Sequence, residues 1–180
     1  MNAPIEVIEN FFDTSSESLW ETIEWERRDA PRRECWMTDT NSEYTYGSGR
    51  GVRTYVPRTW HPVAKEIQGK LKDLLGYTLE GCFVNGYEDQ RQHLGWHADD
   101  SPEMDDDRAI AVVSYGAERY IHFRPRGHKG PAPDSVLMPS GSLLLMKPGM
   151  QDEWDHKIPK HSAVCGPRLS LTYRGIVNMG

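Results

Sequence analysis

The chain has 180 residues and a formal net charge of −6, from 21 Lys and Arg against 27 Asp and Glu. This length fits one domain and can bury a sizeable core, and 37% hydrophobic against 27% charged residues argues against disorder. The acidic balance excludes a strongly basic nucleic-acid binder, although it is compatible with a local basic patch.

The cysteines and the apolar runs indicate the cellular compartment in which the protein works. Cys35, Cys82 and Cys165 lie far apart and form no CxxC pair, so neither a disulfide framework nor a zinc knuckle is expected. No apolar run has membrane-spanning length, and the N-terminus lacks a secretory pattern. We therefore expect a soluble, cytoplasmic monomer with no membrane partner.

Two helices are predicted in the first half of the chain. Ser15 or Ser16 can cap a helix through "ESLWETIEWER". In "HPVAKEIQGKLKDLLG", Pro62 suits the first turn and Gly76 can end the helix. Its apolar residues recur at helical spacing and indicate core packing: Val63, Ile67, Leu71 and Leu74. Residues 29–60, rich in Pro, Arg, Gly and Tyr, are predicted to form loops and short strands.

After Gly76 the pattern is typical of strands. The strand-like segments, in order, are "YTLEGCFVNGY", "AIAVVSYG", "ERYIHFR", "SVLMP", "SLLLM" and "RLSLTYRGI". Gly- and Pro-rich turns separate them, as at Pro139–Gly141 and Pro148–Gly149. Short strands at this spacing predict a mainly β fold, an antiparallel sandwich or jelly roll with the helices outside.

The stretch "GWHADD" is a candidate metal site. Residues two apart on a strand point to one face, so His97 and Asp99 can supply two ligands. Two histidines and one carboxylate bind non-haem iron(II) and leave open positions. A second histidine would come from His156 or His161; we favour His156, because a short strand can begin there, whereas His161 follows Pro159 and Lys160 in a loop-like stretch. The alternative is a solvated polar loop.

The last strand, "RLSLTYR", indicates an anion site. Arg168, Ser170, Thr172 and Arg174 share one face, opposite Leu169, Leu171 and Tyr173. Two guanidinium groups on one face suit a dicarboxylate. A solvated polar face is the alternative, and the order H-x-D, then His, then an Arg-bearing strand favours the anion site.

These motifs, in this order, resemble the AlkB-like family of iron(II)- and 2-oxoglutarate-dependent dioxygenases over residues 30–176. "CFVNGY" is similar to the family's N-x-Y strand, "GWHADD" to its H-x-D, and "VVSYGAERYIHFR" to a strand pair that follows. "MPSGSLLLM", "EWDHKIPK" and "RLSLTYR" are similar to its later strands. Each motif alone is common, and six in the right order are specific.

The resemblance implies the fold and its division. It implies a double-stranded β-helix, a jelly roll of about eight strands, with N-terminal helices and a lid over the mouth. We expect one domain over residues 1–180. Its parts would be an N-terminal helical extension (1–30), a substrate lid (31–60), a supporting helix (61–76) and the jelly-roll core (77–176).

The resemblance also implies the cofactors and the residues that hold them. Fe(II) would be held by His97, Asp99 and His156, which are also the predicted catalytic residues, and 2-oxoglutarate and dioxygen would be cosubstrates. The residues expected at 2-oxoglutarate are Asn85, Tyr87, Arg168, Ser170 and Arg174. The reaction implied is oxidation of an N-alkyl carbon of a DNA or RNA base of the 1-methyladenine or 3-methylcytosine type, with release of formaldehyde, succinate and CO2.

The substrate residues are predicted from the lid and the mouth. An aromatic face can stack on a base that is single-stranded or flipped, which makes Trp36, Tyr44 and Tyr46 candidates, although such aromatics can equally pack the lid on the core. Ser101 and Arg124 are further candidates. Many repair members have an acid at the position of Ser101 and Asn at that of Ser170, so both positions depart from the family pattern.

Two other functions remain open from the sequence. A hydroxylase of the same fold could act on a protein side chain or a small molecule. A cupin-like binding or structural protein without turnover is the second, and Arg168 with Arg174 speaks against it, because a structural metal site needs no dicarboxylate clamp.

Overall fold

In a computed structural model of the protein, the described residues are 2–26, 32–46 and 53–177. The strands are β1 (Ile5–Ile8), β2 (Arg33–Thr38), β3 (Tyr44–Tyr46), β4 (Arg53–Tyr55), β5 (Gly81–Tyr87), β6 (Leu94–His97), β7 (Ile110–Gly116), β8 (Arg119–Pro125), β9 (Asp134–Met138), β10 (Ser142–Met146), β11 (Trp154–Ile158) and β12 (Arg168–Arg174). The helices are α1 (Ser16–Thr22), α2 (Pro62–Leu75) and α3 (Met150–Glu153).

Helix α2 has the predicted bounds, but one residue of the predicted core stripe is wrong, because Leu74 in the last turn is 48% exposed. His61 caps it, accepting the Val63 N–H through Nδ1 at 3.2 Å, and Gly76 ends it in the left-handed conformation at φ 83°. The left-handed region favours glycine, so the stop is built into the sequence. Ala64, Ile67 and Leu71 bury one face of α2.

Helix α1 is shorter than predicted. Ser15 caps it, accepting the Ser18 N–H at 3.1 Å, but the helix ends at Thr22. The backbone of Ile23 is extended, and the side chains of Ile23 and Trp25 are both buried. The indole N–H of Trp25 donates to Trp20 O at 3.0 Å. Turning Ile23 and Trp25 both into the core requires a break in the helix, because residues two apart do not share a helical face.

Two antiparallel sheets face each other and confirm the predicted jelly roll. The larger has the order β1-β10-β7-β12-β5-β2 and the smaller β6-β11-β8-β9, while β3 and β4 form a separate hairpin. One core cluster lies outside the larger sheet under α1 and α2, and a second lies between the sheets. Strands β1 and β2 lie within the stretches predicted as extension and lid, yet both pair into the larger sheet.

The register of β12 decides what faces the space between the sheets. Its neighbours put Arg168 opposite Tyr87 and Ser170 opposite Asn85. The four residues of the predicted common face all line the pocket between the sheets: Arg168, Ser170, Thr172 and Arg174. Among the described residues, no helix is both long enough and apolar enough to span a membrane.

Candidate active site

Two strands of the smaller sheet bring the predicted metal ligands together. His97 ends β6, Asp99 follows it, and His156 in β11 pairs directly with His97, so their rings lie 4.1 Å apart between centroids. One potential ligand atom from each of His97, Asp99 and His156 lies within 4.8 Å of the others. His156 Nε2 is 3.6 Å from Asp99 Oδ2. His161, the alternative ligand, is not part of this group.

The charge states of these three groups suit a divalent cation. His97 Nδ1 lies 2.8 Å from the Gly95 carbonyl oxygen, so Nδ1 carries the proton and Nε2 the lone pair. Burial lowers the pKa of His97, and burial with the neighbouring His97 lowers the pKa of His156 to about 3. Burial raises the pKa of Asp99, but Arg174 and the two imidazoles outweigh it, so the net shift is downward. Two neutral imidazoles and one carboxylate fit iron(II).

Arg174 and Gln151 hold Asp99 from two sides. Arg174 Nη2 donates to Asp99 Oδ1 at 2.7 Å, and the Asp99 backbone N–H donates to Gln151 Oε1 at 2.9 Å. Asp99 Oδ2 is buried and meets no hydrogen-bond donor in the described part of the chain. A buried carboxylate oxygen without a donor is costly, and a bound cation would satisfy it. Gln151 was not predicted from the sequence, because no motif marks it.

The floor of the pocket carries a buried cation. Arg168 is 1% exposed and donates to Ser114 Oγ at 2.8 Å through Nη2, while its Nε and Nη1 meet no acceptor within the described ranges. Burial lowers the pKa of Arg168 to about 10, so it remains charged at neutral pH. The Tyr87 hydroxyl is buried without a hydrogen-bond partner in the same ranges. These donors favour an anion beside Arg168.

Asn85 and the start of β2 form the side wall of the pocket. Arg32 Nε donates to Asn85 Oδ1 at 2.9 Å, and Arg32 Nη2 donates to Glu34 Oε2 at 3.0 Å. Glu34 is 0% exposed, and its Oε1 also accepts from Arg53 at 2.9 Å and from the Tyr55 hydroxyl at 2.6 Å. Arg32, Glu34 and Tyr55 were not among the functional residues predicted from the sequence. A charged run after a proline gives no sign of burial, which comes from the pairing of β2 with β5.

The lid aromatics contact one another and the wall. Trp36 is 0% exposed, stacks on Tyr44 at 4.9 Å between centroids and donates from its indole to Ser42 O. The Arg174 guanidinium lies 5.1 Å from the Tyr44 ring centroid, and Phe83 lines the pocket beside it. Tyr46 lies in β3, but its side chain is outside the described part of the structure.

The remaining predicted substrate residues lie away from the pocket lining. Ser101 Oγ donates to Thr45 O at 3.3 Å, which ties the segment after Asp99 to the hairpin. Arg124 points away from the pocket, because its neighbour Phe123 packs inward beside His156. The Arg124 guanidinium stacks over the Trp96 ring at 4.2 Å and pairs with Asp155 at 3.6 Å.

A pocket with two histidines and a carboxylate on one side and a buried arginine at its floor defines a class of oxygenase, and the sequence comparisons agree. Residues 14–174 match the model of the 2OG-Fe(II) oxygenase superfamily. The chain therefore belongs to the 2OG-Fe(II) oxygenase superfamily, whose cofactors are the predicted ones: Fe(II), with 2-oxoglutarate and dioxygen as cosubstrates.

Individual relatives confirm the AlkB-like resemblance. DNA oxidative demethylase ALKBH2 of Mus musculus is 32% identical over 153 residues, covering 82% of this chain and 62% of that protein. ALKBH2 of Homo sapiens is 33% identical over 153 residues, covering 82% and 57%. Alpha-ketoglutarate-dependent dioxygenase alkB homolog 3 of Homo sapiens is 27% identical over 177 residues, covering 89% and 60%. The chain thus spans about 57–62% of these relatives' lengths.

A solved structure shares the fold. The structure of OsALKBH1 superimposes with a TM-score of 0.66 over 97% of this chain and 99% of that one, at 15% identity. At this identity the likeness concerns the fold alone.

Proposed function

We propose that this protein is an iron(II)- and 2-oxoglutarate-dependent dioxygenase that demethylates N-alkylated bases in DNA or RNA, of the 1-methyladenine and 3-methylcytosine type. The observation that carries the proposal is the convergence of His97, Asp99 and His156 on a pocket whose floor is Arg168. The substrate class is proposed from the relatives named DNA oxidative demethylase ALKBH2.

The metal role is assigned to His97, Asp99 and His156. Bound iron(II) supplies the site for dioxygen activation in this chemistry. The chain's own groups hold the ligands in place: Gly95 O fixes the His97 ring, and Arg174 and Gln151 fix Asp99. Such supporting contacts orient ligands and tune the metal.

The cosubstrate role is assigned to the strand pair β5–β12. Arg168, with Tyr87 beside it, would hold one carboxylate of 2-oxoglutarate, and both side chains are 1% exposed. Asn85, Ser170 and Arg174 lie further along the strand pair, toward Asp99, and would contact the rest of the molecule. The reaction balances as one N-methyl group, dioxygen and 2-oxoglutarate giving the free base nitrogen, formaldehyde, succinate and CO2.

The lid aromatics and the mouth residues are assigned to the substrate. Trp36 and Tyr44 are buried against each other, so both would support the base-binding surface from below, and Tyr46 in the same hairpin as Tyr44 stays a prediction for the stacking contact. Ser101 and Arg124 stay predictions for contacts around the base and the backbone. The proposal also includes a substrate base that is single-stranded or flipped out of the duplex, a monomeric enzyme and a cytoplasmic location. The free thiols of the three cysteines agree with a reducing compartment.

The experiment supplies Fe(II), 2-oxoglutarate and ascorbate and offers methylated oligonucleotides, single- and double-stranded, as DNA and as RNA. The expected result is the loss of one methyl mass per lesion with one succinate formed. Succinate formation without any methyl loss would overturn the base substrate while leaving the reaction class in place.

A second candidate is a hydroxylase of the same fold that acts on a protein side chain or a small molecule. The observation that favours it is Ser101 at the position where the family resemblance predicts an acid, together with the neutralisation of nearby arginines. Arg126 pairs with Asp100 at 2.9 Å, and Arg124 pairs with Asp155. These pairs reduce the positive charge available to a phosphate backbone. Retained methyl groups on every oligonucleotide, with active uncoupled turnover, would favour this candidate.

A further inference from the structure

A buried acid, Glu34, lies behind the pocket wall and has no part in the assignments above. It is fully buried, and its two oxygens accept from two arginines and a tyrosine. Burying a carboxylate is costly unless it is paired, and a pair removed from water often adds less stability than apolar packing of the same volume. A role beyond stability is therefore worth seeking in what Glu34 holds.

The contact from Arg32 fixes the orientation of an amide in the pocket. A guanidinium group is only a donor, so Arg32 Nε at 2.9 Å requires the oxygen of Asn85 on that side. The Asn85 NH2 group is then directed away from Arg32. A flipped amide would set donor against donor. Arg32 thus selects the rotamer in which Asn85 presents N–H groups, the kind of group that binds a carboxylate or keto oxygen.

The sheet register places Glu34 where it can set this geometry. Glu34 is directly opposite Asn85 across β2 and β5, and Ser170 is opposite Asn85 on the other side. Ser170 is short and uncharged. The charged partner that directs Asn85 therefore comes from the β2 side, where Glu34 holds Arg32 through Oε2.

The other oxygen of Glu34 connects this wall to the hairpin. Arg53 and Tyr55 both belong to β4, and both donate to Oε1. The Tyr55 ring also meets Phe83 edge-on, at 5.1 Å between centroids, and Phe83 lines the pocket. One carboxylate therefore joins Arg32, at the start of β2, to the hairpin.

We propose that Glu34 is a positioning residue that orients Asn85 toward 2-oxoglutarate through Arg32 and anchors β4 of the hairpin through Arg53 and Tyr55. The proposal rests on the proposed function only in taking 2-oxoglutarate as the ligand of the pocket; it does not depend on the base substrate.

The test measures 2-oxoglutarate affinity without turnover. The full chain is loaded with Mn(II) in the absence of oxygen and titrated with 2-oxoglutarate by calorimetry. Glu34→Gln is expected to raise the dissociation constant about 10-fold, within the range for a supporting contact of a binding group. Glu88→Gln is the matched control: Glu88 pairs with Arg33, the residue before Glu34, at an exposed site, and this variant should bind 2-oxoglutarate as the wild type does.

A double-mutant cycle separates positioning from general damage to the fold. If Glu34 acts through Arg32, Glu34→Gln should weaken 2-oxoglutarate binding no further once Arg32→Gln is present. Tyr55→Phe removes only the hydroxyl bond to Glu34. It should raise the hydrogen-exchange rate of the β4 amides, with a rise in the dissociation constant of at most about threefold.

The outcomes divide clearly. A folded Glu34→Gln variant with unchanged 2-oxoglutarate affinity, or additive effects of the Arg32 and Glu34 changes on that affinity, would overturn the proposal. If Glu34→Gln does not fold, the Arg32→Gln affinity and the Tyr55→Phe exchange rates decide in its place, and no change in either overturns it. Methyl loss from oligonucleotides plays no part, so failure of the base substrate would be seen separately.

Discussion

The ligand cluster, in which Asp99 and His156 are buried and His97 is half-buried, and the buried lid aromatics Trp36 and Tyr44 use their side chains in opposite ways. His97, Asp99 and His156 lie close together with an Asp99 oxygen that meets no donor among the described residues. The lid aromatics Trp36 and Tyr44 instead pack with Tyr55 of β4 and Phe83 of β5 in a small core cluster. A side chain whose polar atoms have no partner in the protein can bind a ligand. A side chain whose surface is covered by other side chains mainly supports the structure.

Of the changes that test this contrast, removal of a ligand histidine is expected to lower activity the most. His156→Ala should abolish succinate formation with added Fe(II), a loss greater than the roughly 10–100-fold that removal of a supporting residue costs. His161→Ala is the matched control, because His161 lies beyond the end of β11 and outside the ligand group, and it should leave turnover unchanged. Full activity of His156→Ala would show that His156 is not a metal ligand. If His161→Ala also lost activity, His161 would take the ligand role instead.

Truncating the central lid aromatic should affect stability before chemistry. Trp36→Ala removes a fully buried indole, and the expected loss is about 3–5 kcal/mol in the free energy of unfolding. Denaturant titration measures it. Val56→Ala, at a residue that is 56% exposed, is the control and should change stability little. A Trp36→Ala variant of normal stability that had lost only nucleic-acid binding would contradict the packing role.

Removing the cation at the pocket floor should weaken the cosubstrate. Arg168→Gln is expected to raise the dissociation constant for 2-oxoglutarate about 10- to 100-fold, the size of charge-assisted hydrogen bonds of about 1.5–3 kcal/mol. Arg124→Gln removes an arginine that points away from the pocket, and its 2-oxoglutarate affinity should stay at the wild-type value. Equal losses in both variants would mean that the effect is one of overall charge.

The smallest expected effect concerns the contact between the mouth and the hairpin. Ser101→Ala removes one exposed bond of 3.3 Å to Thr45 O, so its cost in unfolding free energy should be at most about 0.5 kcal/mol. Its effect on succinate formation without nucleic acid should be negligible. A large loss of methyl-base turnover in Ser101→Ala, with normal stability, would identify Ser101 as a direct substrate contact.

Helix α2, the strand segments and the H-x-D pair could be predicted because each leaves a local signal, whereas the jelly roll and the grouping of His156 with His97 and Asp99 rested on the order of motifs that resembles the AlkB-like family. Period-two strands, a capped helix and an H-x-D tripeptide are readable without long-range contacts. The end of α1 was predicted too late, since it depends on Ile23 and Trp25 both entering the core. The pairing of β1 and β2 with the larger sheet also lay beyond local patterns, because strand partners distant in the chain leave no local periodicity.

Residue types, their spacing and the order of the motifs indicate the chemistry that this chain can offer: two histidines and a carboxylate for a metal, and arginines on one face of the last strand for an anion. They do not show which of these side chains can still bind a metal or an anion once the protein has folded. The burial of Glu34 beside Arg32, the outward direction of Arg124 and the packing of Trp36 all follow from strand register. Side chains alternate between the two faces of a strand, so a shift of register by one residue would reverse each of these placements.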